Sequence, residues 1–208
     1  IGGVDHGHRI VAGQHLQCAG PGRLGQRVGV PADEQRTGGT VRRPVLDDGL
    51  RGGQDVRLVE GRSVLVGEGV DLLICETFPS AREAAIAASA CARTGLETWV
   101  SFTAGPSGEL MTPRAMAEAA RACVAEGASA VLVNCVAAAR TLPFVEALAS
   151  VHDRVGAYAN ASPWNEPPVS DAEYVAFARA WRDAGASLVG SCCGTSPATI
   201  RAVADALR

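Results

Sequence analysis

Short apolar runs alternate with alanine-rich, amphipathic stretches from about Val64 to the end of the chain. This alternation predicts βα units and a parallel sheet. The units recur at roughly thirty residues, the length of one βα module. The predicted strands are DLLIC (71–75), TWVSF (98–102), AVLVNC (130–135), VGAYA (155–159) and SLVGSC (187–192).

The segments between these strands carry helix start and stop signals. Ser80 with Glu83 and Ser170 with Glu173 match the capping-box pattern, in which a side chain on each residue satisfies a backbone N–H of the other. Pro113 and Pro197 follow Thr112 and Ser196, as expected for first helical positions, and Gly95, Gly127 and Gly185 are the predicted helix ends. A weak repeat of two βα units is also visible, from glycine through a strand to cysteine.

Residues 1–63 have a different character from the rest of the chain. They contain more than half of the glycines of the chain and no Phe, Trp or Tyr. They also show no sustained helical or strand periodicity. A flexible extension and a frame-shifted reading of GC-rich DNA both fit this pattern. We therefore expect two regions, an irregular segment over 1–63 and a βα domain over 64–208. Three histidines of the irregular segment, predicted to be solvated and not metal-binding, are His6, His8 and His15.

Composition excludes several classes of function. The formal net charge is −3, and all basic residues are scattered arginines, so no nucleic-acid footprint is present. The longest apolar runs are only strand-sized and no signal segment opens the chain, so we expect a cytoplasmic protein that is not bound to a membrane. Seven cysteines at irregular spacing favour reduced thiols over a disulfide framework.

Three of the cysteines follow predicted strands. If the five strands are consecutive members of a (β/α)₈ barrel, Cys135 and Cys192 end alternate strands and converge at the mouth that carries the chemistry of this fold. Cys193 follows directly. Three thiolate ligands with a vacant fourth coordination position are typical of a catalytic zinc site. Redox chemistry of the adjacent pair and simple burial of small apolar thiols are the alternatives.

The remaining cysteines are predicted to have packing roles. Cys91 and Cys123 lie within predicted helices, and Cys18 lies in the irregular segment. Cys75 ends a strand without a neighbouring thiol in the sequence, and burial is the preferred interpretation.

Three stretches, GVDLLICETF, ASAVLVNC and VGSCCGTSPATIRAVADAL, closely resemble the homocysteine S-methyltransferase family over roughly residues 64–208. Tyr158-Ala159-Asn160 is similar to the family's Y-x-N strand end. The resemblance implies a (β/α)₈ barrel with zinc on the thiolates of Cys135, Cys192 and Cys193, and with the homocysteine sulfur in the fourth position. It also implies that Glu76 holds the amino group of the substrate, with Asn134 and Asn160 as supporting substrate-binding candidates.

Two departures from the family pattern change the expectation. Ser191 stands where the family has the second glycine of Gly-Gly-Cys-Cys, which predicts crowding beside the cysteines. The family's first three strands have no counterpart in residues 1–63. We therefore expect an incomplete barrel with about five C-terminal βα units, and little or no methyltransferase activity of residues 1–208 by themselves.

The function that the resemblance implies is methyl transfer to the thiol of homocysteine, which gives methionine. Candidate donors are S-methylmethionine, S-adenosylmethionine, betaine and a folate, so the expected partners are small molecules. The alternative is a remnant of the family, from a truncated or frame-shifted gene, that binds zinc or undergoes thiol oxidation without turnover.

Overall fold

The computed structural model describes residues 11–14, 65–67, 69–162 and 167–208. For residues 11–14 it describes the strand alone. Most of the predicted irregular segment, including His6, His8, His15 and Cys18, lies outside the described residues. No helix in the described ranges has the length and apolar character needed to span a membrane.

The described strands form one parallel sheet whose spatial order is the order of the chain. Because a parallel strand can follow its neighbour only through a crossover, this order places the connecting helices along one face of the sheet. The arrangement is that of part of a (β/α)₈ barrel. The strands are β1 (Val11–Gln14), β2 (Leu72–Phe78), β3 (Glu97–Phe102), β4 (Ala130–Ala137), β5 (Val155–Asn160) and β6 (Ala186–Ser191).

Five α-helices follow β2 to β6 in turn, so the five predicted βα units are confirmed. A short 3₁₀ turn, Ala138–Arg140, lies between β4 and the third helix. The helices are α1 (Ala81–Ala92), α2 (Pro113–Ala125), α3 (Leu142–Ala149), α4 (Asp171–Asp183) and α5 (Pro197–Ala206).

Strand β1 is an element that the sequence pattern did not predict. Val11 pairs with Leu72 and Gln14 with Cys75, so this stretch of the irregular segment adds a parallel strand to the edge of β2. The expectation of an irregular segment over 1–63 stays a prediction, and these four residues are described as a strand. The sequence VAGQ is short and contains a glycine, and its strand conformation depends on pairing with β2 and not on its own pattern.

The predicted capping signals mark the helix ends. Ser170 and Glu173 form a full reciprocal capping box at α4, whereas Ser80 accepts a bond from the Glu83 backbone N–H at 3.4 Å. Gly127, which ends α2, has φ +104°, and a Cβ there would lie 2.8 Å from the Cβ of Ala92. Glycine is required there because an L side chain would be strained and would also clash.

Alternate residues of β4 divide the two faces of the sheet. Val131 and Val133 belong to the apolar core that packs against the helices. Leu132 and Asn134 point to the other face, because successive strand residues alternate. That second face corresponds to the barrel interior, and its polar groups gather where the strands end.

A buried tyrosine on α4 ties together the ends of β5 and β6. The Tyr174 hydroxyl accepts a bond from the Ala159 N–H at 3.1 Å and lies 2.9 Å from the Ala159 carbonyl and 3.0 Å from the Gly190 carbonyl. Its ring packs edge-on against Trp181 at 5.5 Å between centroids. Such an aromatic pair adds about 0.5–1.5 kcal/mol beyond its buried area. The Tyr174 hydroxyl therefore joins the end of β5 to the end of β6, just before Cys192 and Cys193.

Candidate functional site

The structure brings together the three thiols that the sequence analysis singled out. Cys135 lies within β4, and Cys192 and Cys193 follow the last residue of β6. The Cys135 and Cys192 sulfurs are 3.2 Å apart, the Cys192 and Cys193 sulfurs are 3.7 Å apart, and all three lie within 4.8 Å of one another. Within the described ranges, this is the one group of three or more His, Cys, Asp or Glu residues with such spacing.

The geometry of this thiol cluster fits a zinc ion. Tetrahedral zinc with Zn–S bonds of about 2.3 Å places its sulfur ligands about 3.8 Å apart, close to the observed separations. Thiolates are soft ligands that select zinc over magnesium or calcium. Three of them leave the fourth tetrahedral position for a substrate atom, as in catalytic zinc sites.

The three thiols differ in their readiness to ionise. The hydrogen bond between the Cys192 and Cys135 sulfurs lowers the pKa of Cys135 and raises that of Cys192, where burial adds to the effect. Burial and the neighbouring Cys192 also raise the pKa of Cys193. Hydrogen bonding and burial within the cluster thus shift the pKa values of its three thiols in different directions.

The loop that carries Cys192 and Cys193 continues the pairing of β6 with β5. The Cys192 N–H bonds to the Ala159 carbonyl at 2.9 Å, and the Cys193 carbonyl accepts from the Ala161 N–H at 2.9 Å. The side chain of Asn160, which is only 3% exposed, accepts the Cys193 N–H at 3.2 Å. Asn160 thus fixes the backbone of a candidate metal ligand, while its predicted contact with substrate stays a prediction.

Two residues flanking the adjacent cysteines show how the loop is built. Gly194 has φ +76°, and a Cβ there would lie 2.7 Å from the Cβ of Ser162. Ser191, the departure from the family pattern, accepts a hydrogen bond from the Thr195 hydroxyl at 2.9 Å, and that hydroxyl lies 2.6 Å from the Cys192 carbonyl. The extra hydroxyl of Ser191 is therefore engaged within the loop.

Backbone conformation at the ends of β2 and β4 is unusual. Thr77 (φ 66°) and Cys135 (φ 53°) are the non-glycine residues with positive φ in the described part of the chain. Each lies where the register with the next strand shifts, between Cys75 and Phe78 or between Asn134 and Ala137. Such conformations cost about 1–3 kcal/mol each and persist where surrounding contacts enforce them.

A buried amide links these two strand ends. The side-chain oxygen of Asn134 accepts from the Ser101 hydroxyl at 2.7 Å, and its nitrogen donates to the Thr77 hydroxyl at 2.7 Å. Asn134 is 1% exposed. Both ends of its amide are therefore occupied by protein groups, and its predicted substrate contact stays a prediction.

Glu76 lies on β2 beside Thr77 and is half-buried. Its carboxylate accepts a hydrogen bond from the Tyr158 hydroxyl at 3.1 Å, although β2 and β5 are not neighbours in the sheet. Burial and the Glu76 charge raise the pKa of Tyr158. Because Glu76 and Tyr158 meet across strands that are not neighbours, both side chains point to the inner face of the sheet.

Sequence reasoning did not assign Tyr158, Thr77 or Ser101 to the site. The Y-x-N strand end was the one available signal for Tyr158. The hydroxyls of Thr77 and Ser101 gave none, because short polar residues at strand ends are common.

The other described cysteines lie outside the cluster. Cys75 and Cys91 are neighbours at 3.6 Å, and their mutual hydrogen bond together with burial raises the pKa of Cys75. Burial raises the pKa of Cys123 to about 12. The thiols of Cys75 and Cys123 pack as small apolar groups.

Comparisons with known proteins agree with this architecture. The solved structure of the homocysteine methyltransferase MmuM from Escherichia coli, in an oxidized form, superposes with a TM-score of 0.57 at 24% identity, over 71% of this chain and 52% of that one. The structure of an oxaloacetate acetylhydrolase gives the same TM-score at 14% identity, over 72% of this chain and 60% of that one. These likenesses concern the fold.

Sequence comparison identifies the family. Homocysteine S-methyltransferase 4 of Zea mays is 34% identical over 159 residues, which cover 70% of this chain and 46% of that protein. Selenocysteine Se-methyltransferase of Brassica oleracea var. italica is 29% identical, over 67% of this chain and 44% of that protein. The chain thus spans about half the length of these relatives. Since the family model for homocysteine S-methyltransferase matches residues 54–207, the chain belongs to that family.

Proposed function

We propose that this protein transfers a methyl group to the thiol of homocysteine, giving methionine, at a zinc site formed by Cys135, Cys192 and Cys193. The observation that carries the proposal is the convergence of three thiols within 4.8 Å, at the end of the sheet where β2 also carries the half-buried carboxylate of Glu76. Family membership supports the reaction class.

A bound zinc ion would supply one function, which is to hold the substrate sulfur as a thiolate at neutral pH. A free thiol with a pKa near 8.5 is mostly protonated there, and the thiolate is the nucleophile. The three cysteines would hold the metal.

Glu76 would orient the substrate. Its carboxylate would accept charge-assisted hydrogen bonds from the homocysteine amino group, while Tyr158 holds it from the other side. The amino-acid end would then be fixed opposite the thiol cluster, which places the sulfur for reaction. Asn160 would support the same geometry through the backbone of Cys193, and Asn134 through the ends of β2 and β4.

The proposed partners are small molecules, namely homocysteine and a methyl donor. Relatives are named for both homocysteine and selenocysteine methylation, so both amino acids are candidate acceptors. Reduced thiols are required at the site, and we place the reaction in the cytoplasm for that reason.

The test is methionine formation by the purified, zinc-loaded chain with homocysteine and each candidate donor. We expect weak turnover that Cys135→Ala abolishes and that Cys91→Ala, a thiol outside the cluster, leaves unchanged. Equal turnover by the Cys135→Ala variant would refute the site. Homocysteine binding without methionine from any donor would refute the transfer step and leave the binding site standing.

A further inference from the structure

We infer that Asn134 is a positioning residue that fixes the candidate metal ligand Cys135 relative to Glu76, by hydrogen-bonding the ends of three successive strands. The inference rests on the proposed function for the roles of Cys135 and Glu76. The bonds themselves do not depend on it.

Asn134 and its partner Thr77 each adjoin one of the proposed functional residues. Asn134 directly precedes Cys135 on β4, and Thr77 directly follows Glu76 on β2. The 2.7 Å bond between the Asn134 amide nitrogen and the Thr77 hydroxyl therefore joins the neighbours of the two proposed functional residues. Any change in this bond would alter the separation between carboxylate and thiol.

Asn134 also bonds to the strand that lies between β2 and β4. β3 lies between β2 and β4, and its Ser101 hydroxyl donates to the Asn134 oxygen at 2.7 Å. An asparagine side chain carries a donor and an acceptor in one plane, so it can bind Ser101 and Thr77 together. Ser101 is fully buried and Asn134 is 1% exposed, so water does not compete for the bond between them, whereas Thr77 is half-buried.

The bond from Asn134 also lies beside the two residues with unusual backbone conformation. Thr77 and Cys135 both adopt left-handed conformations, which non-glycine residues avoid unless the surroundings enforce them. The hydrogen bond from Asn134 joins the side chain of Thr77 to the residue that directly precedes Cys135. Without this tie, both strand ends would relax toward extended backbone, and the Cys135 sulfur would turn away from Cys192.

The test uses Thr77→Val and Asn134→Ala, with Thr141→Val as a matched control. Thr77→Val removes only the hydroxyl partner and keeps a β-branched side chain, so the intrinsic backbone preference changes little. Thr141 is a buried residue just after β4 whose hydroxyl bonds to the Ala137 carbonyl at 3.0 Å, away from the tie. All three variants lose buried hydrogen bonds, so their thermal stability is measured alongside zinc affinity.

Zinc affinity is measured by competition with a chromogenic chelator. We expect Thr77→Val and Asn134→Ala each to weaken zinc binding by about tenfold to a hundredfold, the usual effect of losing an outer-shell partner. The double variant should bind zinc almost as well as the single variant with the lower zinc affinity, because each single substitution already removes the bond between Asn134 and Thr77. Thr141→Val should lose stability and keep wild-type zinc affinity. Wild-type zinc affinity in folded Thr77→Val would overturn the inference, and if Asn134→Ala does not fold, Thr77→Val and Ser101→Ala decide.

A second measurement separates this inference from the proposed function. In the metal-free protein, diamide oxidises the Cys135 and Cys192 thiols to a disulfide and is itself reduced to the hydrazine, and mass spectrometry follows this closure. We expect closure to be several-fold slower in Thr77→Val than in the wild type or in Thr141→Val. If the wild type binds no zinc, the proposed function fails, and this rate still decides whether Asn134 positions Cys135, since equal rates would overturn it.

Discussion

The two ends of the sheet use polar residues in opposite ways. At the end where the strands begin, Arg154 pairs with Glu97 and lies over the ring of Trp99 at 4.9 Å, and the Trp99 indole also donates to Glu97 at 2.8 Å. The charges of Arg154 and Glu97 are matched by each other. At the end where the strands finish, three thiols crowd together, and Glu76 has a single tyrosine partner.

Left-handed backbone follows the same division. Thr77 and Cys135, the described non-glycine residues with positive φ, both lie toward the ends where strands finish, whereas register shifts occur at both ends, including between Val155 and Gly156 at the start of β5. In (β/α)₈ barrels the C-terminal face carries chemistry and the N-terminal face carries stability. This chain therefore concentrates strained backbone and the thiol cluster at one face, and the consequences can be tested separately at each face.

The largest expected effect is the pH dependence of zinc binding at the thiol end. Zinc binds thiolates, and the raised pKa values of Cys192 and Cys193 mean that the metal must displace their protons at neutral pH. Affinity should therefore rise with pH, by about tenfold per pH unit for each proton displaced. Chelator competition between pH 6 and 7.5 measures this slope. An affinity independent of pH would contradict the assignment of these thiols as ligands.

The next effect concerns substrate binding at Glu76. Glu76→Gln removes the charge but keeps the shape, so it should weaken homocysteine binding by about 1.5–3 kcal/mol, the contribution of a charged hydrogen bond. Zinc content should be unchanged, because the carboxylate is not assigned to the metal. Calorimetric titration of homocysteine into zinc-loaded protein gives the affinity. A wild-type value would remove Glu76 from the site.

A smaller effect is expected from Tyr158→Phe, which deletes only the hydroxyl that donates to Glu76. Homocysteine affinity should fall by about 0.5–1.5 kcal/mol, the net contribution of one hydrogen bond. If Tyr158 acts through Glu76, the same substitution should have no further effect in the Glu76→Gln background. Additive losses in that cycle would show that Tyr158 acts independently of Glu76.

The smallest effect belongs to the opposite end. Glu97→Gln should lower the free energy of unfolding by at most about 1 kcal/mol, because the ion pair is partly exposed. Zinc and homocysteine binding should not change. Urea denaturation and the chelator assay check both statements, and altered zinc affinity in this variant would break the division between the two ends.

The convergence of Cys135 with Cys192 was predictable from the sequence, and the reason is geometric. Regular βα spacing places the C-terminal ends of alternate parallel strands around one space, so residues at those ends meet whatever their detailed conformation. The helix caps at Ser170 and Gly127 were predictable for a similar reason, since local backbone requirements fix the residue type.

Other features of the site have no local signal in the sequence. The left-handed conformations of Thr77 and Cys135 fall on residues that rarely adopt them, so no residue type announces them. The bond between Tyr158 and Glu76 joins strands that are not neighbours, and it depends on the curvature of the whole sheet. Strand β1 depends on its partner β2 in the same way.

The most direct test of the account is the metal content of single cysteine variants, measured by mass spectrometry after zinc loading and removal of excess metal. The account predicts about one zinc per chain in the wild type, and loss of that zinc in Cys135→Ala, Cys192→Ala and Cys193→Ala. Cys91→Ala and Cys123→Ala should retain it, because their thiols lie outside the cluster. Unchanged zinc in Cys135→Ala, with loss of zinc in Cys91→Ala, would contradict the account.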